Sequence, residues 1–178
     1  DTTNKMYDRL TPLVNKIVYV DDQVKYGGLT GTWNNGIAYC DSNQCSVCIF
    51  VNDDLIVFEN VNNIIQQAKS CSNNNYMYYG PITNNPGPAP FNNVQLGSKA
   101  MNKVSHVAQW KNHPSALNGF FMCIPMHVLE KNRFSSTHYF DPKYPFGGNE
   151  IEWFGRANKH LKCLGIVVPT TFVYHHKL

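Results

Sequence analysis

Apolar residues fall at 61, 64, 65 and 68 of VNNIIQQAKSC, which places all four on one side of a helix, with Asn60 at the N-cap position. CSVCIFV and LIVFENV are β-branched and aromatic runs that read as strands, and Asn52-Asp53-Asp54 between them predicts a hairpin. Beyond Pro12, IVYV also reads as a strand. Further along, KVSHVAQW reads as a strand, NHPSALNG as a turn, FFMCIP as a second strand and MHVLEKNRF as a helix. CLGIVV and TTFVYHH are two strand-like pieces interrupted by Pro169. QVKYGGLTGTWNNGIAYC strings glycines around an Asn-Asn-Gly step and predicts short hairpins. Residues 72–93 are dense in Asn, Pro and Gly and predict a long irregular loop, a solvated excursion or a substrate-facing flap, while FDPKYPFGGNE predicts turns. Together these elements predict a single α+β domain spanning 1–178, with a mostly antiparallel sheet and few short helices.

Composition narrows the class. A chain of 178 residues with 43% hydrophobic, 13% aromatic and 15% charged residues suits one ordered core rather than disorder. No apolar run reaches the length that spans a bilayer, so no membrane partner is expected. A net charge of +3 is compatible with nucleic acid without forming a dense basic face. DTTNKMYDRL lacks a basic-then-apolar leader and Asp1 would suit a processed end, so a cytosolic protein and one secreted after removal of a signal both fit. No Asn begins an N-x-S/T acceptor, which with the compartment rules for cysteine leans toward a reducing compartment.

Of the six cysteines, Cys40-x4-Cys45-x2-Cys48 has the spacing of a plant-type iron–sulfur loop. If Cys45 to Cys48 is strand, those two side chains take opposite faces and cannot share a metal, alone or with His160 and Cys163. Two readings are left. The cysteines are buried thiols or disulfides in a non-catalytic secreted or viral interaction module, or Cys40, Cys45 or Cys48 is a hydrolase nucleophile. The second wants a helix N-terminus to lower the thiol pKa, where the sequence predicts strand.

Within a candidate ββα segment at 103–134, residues 104–133 carry VSHVAQW, LNGFFMCIP and MHVLEKN. This order resembles the ββα-metal finger of HNH-type nucleases. The resemblance implies hydrolysis of phosphodiester bonds in nucleic acid, with His106 as the general base, Asn118 orienting it and His127 binding a divalent metal, Mg or Zn. Lys111, Lys131 and Arg133 would then meet phosphate. The position before His106 is Ser105 and the one a turn beyond His127 is Lys131, where the family often carries ligands, so Asp141 or His138 would complete the shell. A metal-independent variant would use His106, His113, Lys111 and Tyr139 for internal transfer on RNA. His175-His176 read as a solvated tail, and Tyr76 to Tyr79 as aromatics able to stack on bases.

Overall fold

The structure is a computed structural model, and it describes residues 8–14, 17, 26–84 and 117–175. The predicted strands IVYV beyond residue 17 and KVSHVAQW lie outside the described residues, as does the expected loop beyond residue 84.

The 3.6-residue spacing at 61, 64, 65 and 68 forms a helix, Val61–Lys69, and all four residues are buried. Asn60 does occupy its N-cap, but its side chain makes no capping bond; its carbonyl instead accepts the Thr171 hydroxyl. FMCIP forms the strand Phe121–Pro125, and the helix Met126–Lys131 follows without a break. All five strand residues are buried because both faces are covered: Met122 and Ile124 join one apolar cluster, Phe121 and Cys123 the other.

Among the described residues the five strands are β1 (Val47–Val51), β2 (Leu55–Val57), β3 (Met77–Thr83), β4 (Phe121–Pro125) and β5 (Leu164–His175), in the order β1-β4-β3-β5-β2. The fold is α+β, but the sheet is mixed: β1–β4, β3–β4 and β2–β5 are antiparallel, while β3 and β5 run parallel. The expected hairpin of β1 with β2 does not form, since these strands lie at opposite ends of the order. Only Asn52-Asp53-Asp54 joins them. That link reaches at most about 14 Å, whereas the edges of a flat five-stranded sheet stand about 19 Å apart. The sheet therefore curls until its two ends approach. His175 reinforces the closure from β5, its Nε2 lying 3.1 Å from Asp54 Oδ2 and its ring stacked on Phe120. It is a built-in contact and not the solvated tail predicted from the sequence.

Among the described residues, the helices that follow a 3-10 turn at Thr11–Leu13 are α1 (Leu29–Ser42), α2 (Val61–Lys69), α3 (Met126–Lys131) and α4 (Asn149–Leu161). α2 covers one face of the sheet, and its cluster includes Leu55, Phe121 and Val173. α1, α3 and α4 contribute to the cluster on the other face, around Trp33, Phe140 and Trp153.

α1 replaces the hairpins expected in QVKYGGLTGTWNNGIAYC. Thr30, Trp33, Asn34 and Ile37 recur at helical spacing and are buried. The glycines serve its entry: Gly28 has φ +89°, and a Cβ there would come within 2.6 Å of the Pro145 carbonyl oxygen. Asn34 is a three-way pin. Its Oδ1 accepts from the backbone N–H of Tyr139 and of Phe140, both at 2.9 Å, and its Nδ2 donates to the Phe140 carbonyl at 3.0 Å.

β3 corrects part of the expected irregular loop, since 77–83 is a strand with neighbours on both sides. Pro81 is tolerated because the β3–β5 register breaks there, Pro81 facing Val168 and Ile82 facing Phe172. The same break places the bulge of β5 around position 169, which reconciles one strand with the two pieces read from the sequence.

Candidate thiol site

α1 ends at Ser42, a tight turn follows, and β1 begins at Val47. Gln44 takes a left-handed φ of 53°, and the Cys45 N–H returns to the Cys40 carbonyl at 2.9 Å. The turn thus folds Cys45 back over the last turn of α1. Cys48, on the α1-facing side of β1, comes up from below, and its Sγ lies 3.8 Å from that of Cys40. Sequence alternation separated Cys45 from Cys48 on the premise that both lie in a strand. Cys45 instead precedes the strand, and both thiols converge on Cys40.

Burial orders the three. Cys48 is buried, while Cys40 and Cys45 are half-buried. Hydrogen bonding from Cys48 holds the Cys40 thiol down to about 7 from the ordinary 9.0, against the opposing effect of burial and with help from Cys45. Cys48 is pushed well up, first by its hydrogen bond with Cys40 and then by burial. Cys45 is raised by burial and by the neighbouring Cys40 charge. The first proton therefore leaves Cys40, and the Cys48 S–H donates to the resulting thiolate. This happens at a helix C-terminus, where the macrodipole disfavours an anion. The neighbouring thiols, not the helix, supply the activation.

Beside the thiols lies a charged lattice that the sequence did not reveal as a group. Arg133 donates to Asp41 at 3.1 Å and to Glu130 at 2.9 Å, and its guanidinium lies 4.3 Å from the centre of the Tyr139 ring. The Tyr139 hydroxyl lies 3.0 Å from Glu130 Oε1 and 3.2 Å from Asp41 Oδ2, and burial together with Glu130 pushes its pKa up. Asp41 follows Cys40 directly, so the lattice ties the end of α1 to the segment after α3. Of the remaining cysteines, Cys123 on β4 adds to the influences that raise Cys48. Cys123 and Cys163 are buried, with burial raising Cys163 to about 12, and Cys71 lines a shallow cleft of about 280 Å³ with Asn75, Met77 and Tyr79.

The residues singled out by the nuclease resemblance have separate placements. His106, Lys111 and His113 lie outside the described residues. Asn118 makes a local turn ahead of β4, its Oδ1 accepting the Phe120 N–H at 3.2 Å. His127 is half-buried in the first turn of α3, with Nε2 2.9 Å from the Asn75 carbonyl and its ring 6.1 Å from that of Tyr76. Asn118 and His127 are thus at opposite ends of β4, whose two edges are taken by β1 and β3. Lys131 is exposed at the end of α3, and Arg133 is engaged in the lattice. His138 pairs with Thr137 at 2.9 Å, and Asp141 accepts the Lys143 N–H at 2.9 Å. Among the described residues, no group of three His, Cys, Asp or Glu side chains could hold a metal ion. None of the described helices is long and apolar enough to cross a membrane.

Compared with protein-family models, curated proteins and solved structures, the chain matches none of them.

Proposed function

We propose that the protein acts through Cys40 as a nucleophilic thiol. The observation that carries this reading is the convergence of Cys45 and Cys48 on Cys40, with the Cys40 and Cys48 sulfurs 3.8 Å apart. Thiolate, not thiol, is the attacking species, and two neighbouring S–H groups stabilise it without a cationic partner. Cys40 is half-buried, so an electrophile can reach it, whereas Cys48 is shielded. The test is site-resolved alkylation near neutral pH. Iodoacetamide should label Cys40 ahead of the other five cysteines, and Cys40→Ser should remove the fast phase. A fast phase that survives in that variant would refute the assignment.

A second reading is phosphodiester hydrolysis on nucleic acid with a divalent metal. It is supported by the strand-then-helix order of β4 and α3, with His127 in the first helical turn. It predicts plasmid or RNA cleavage that chelator suppresses and that His106→Ala abolishes while the thermal melt is retained. Cleavage persisting in His106→Ala would eliminate it.

A further inference from the structure

We infer that Cys40 and Cys48 form a redox-active dithiol whose substrates are disulfides, Cys40 making the first attack and Cys48 resolving the product. The inference rests on the reading of Cys40 as nucleophile and adds to it the class of electrophile and the role of the second thiol.

Geometry fixes the order of events. Cys48 is only 6% exposed, packed with Trp33, Ile37 and Phe50 between α1 and the sheet, so an external disulfide cannot reach it. Cys40 is reachable, and its sulfur is 3.8 Å from that of Cys48. A disulfide bond is about 2.0 Å long, so closing the pair needs an approach of about 1.8 Å. Rotation of the Cys40 side chain about χ1 can supply that movement without displacing the end of α1, which Asp41 ties to Arg133.

The chemistry balances in two exchanges. The Cys40 thiolate attacks one sulfur of a substrate R–S–S–R; a Cys40–S–S–R bond forms, the substrate S–S bond breaks, and RS⁻ leaves with the electron pair. Cys48 then loses its proton to solvent or to the departing RS⁻ and attacks the Cys40 sulfur. The Cys40–Cys48 disulfide forms, and the second RS⁻ leaves. Overall the dithiol is oxidised by two electrons and the substrate disulfide is reduced to two thiols. The first exchange also prepares the second. Two of the influences that hold the proton on Cys48 are its hydrogen bond with Cys40 and the Cys40 charge, and both vanish once Cys40 carries the mixed disulfide. Cys45, in the turn on the outer side, is not needed for resolution.

The test uses the full reduced chain, with bis(2-hydroxyethyl) disulfide as the small probe and a cystine-bridged peptide as the second arm. After acid quench, mass spectrometry with peptide mapping locates the adducts. Wild type should yield a Cys40–Cys48 disulfide with no retained adduct. Cys48→Ser should keep a mixed disulfide on Cys40, with Cys48→Ala as the alternative should the serine variant melt early. Cys40→Ser should give neither product, and Cys45→Ala should slow the first exchange, through the lost hydrogen bond to Cys40, yet still end in a Cys40–Cys48 disulfide with no retained adduct. Reaction in one arm only would set the substrate size and support the inference. A wild-type protein that retains the adduct, or resolves it through Cys45, would overturn the role of Cys48. Rapid alkylation of Cys40 by iodoacetamide without reaction with either disulfide would overturn the substrate class and leave the nucleophile reading standing. Inertness toward all three reagents would overturn both.

Discussion

Replacing Cys48 with alanine removes the largest influence that lowers the Cys40 pKa, and the consequence for reactivity reverses with pH. With Cys40 titrating at about 7, about half of it is thiolate at pH 7. Returned to the ordinary 9.0, only about one part in a hundred is ionised at that pH, roughly a fifty-fold loss of the reactive species. A more basic thiolate is intrinsically more nucleophilic; with a Brønsted slope of about 0.45, two pH units give about an eightfold gain per thiolate. The net result at pH 7 is alkylation about sixfold slower in Cys48→Ala. Above pH 10 both thiols are ionised and the variant should react about eightfold faster, so the two profiles cross near about pH 8. Timed pulses of isotope-coded iodoacetamide from pH 6 to 11, read on the Cys40 peptide, measure both curves. A variant profile parallel to wild type, or below it at every pH, would refute the account of how Cys40 is activated.

Asn34→Ala strands two backbone N–H groups and a carbonyl at Tyr139 and Phe140, and should cost about 3–5 kcal/mol, seen as a lower urea midpoint at unchanged slope. Gly28→Ala should cost about 1–3 kcal/mol, since φ is +89° and the new methyl meets the Pro145 carbonyl, whereas Gly36→Ala, mid-helix with nothing within 4 Å, should stabilise by about 0.5–1 kcal/mol. Thermal melts of the two variants should therefore move in opposite directions. His127→Ala loses its bond to the Asn75 carbonyl, should cost about 1 kcal/mol, and should leave the Cys40 alkylation rate unchanged. A change in that rate would tie His127 to the thiol site.

What could be read from the sequence was local. The 61, 64, 65, 68 spacing is a complete helical face, and FFMCIP followed by MHVLEKN changes period at the strand-to-helix junction, so α2, β4 and α3 were legible. α1 was hidden by its glycines and Asn-Asn-Gly step, which read as turns. In the structure Gly28 opens the helix against the Pro145 loop, and Asn34 turns inward to hold Tyr139 and Phe140. α4 carries its own signals, with Glu150 and Glu152 in its first turn, Lys159 and His160 in its last, and Trp153, Phe154 and Ala157 buried, but the turn-rich FDPKYPFGGNE overlaps its start and hides them. Strand pairing is where the structure departs furthest from the local sequence pattern. A short link between β1 and β2 favours a hairpin locally, but β1 pairs with β4 and β2 with β5 because each buries its inner face against a different helix layer. The thiol site was invisible for the same reason. Its members come from the end of a helix, a left-handed turn and a strand, and only the unexpected helix brings them together.

The most direct test is a spectroscopic titration of thiolate in the reduced protein, followed by ultraviolet absorbance from pH 5 to 10. The account predicts one thiolate with a midpoint of about 7, absent from Cys40→Ser and shifted upward in Cys48→Ala. A wild-type curve with no thiolate below about pH 8, the range of ordinary cysteine, would contradict it.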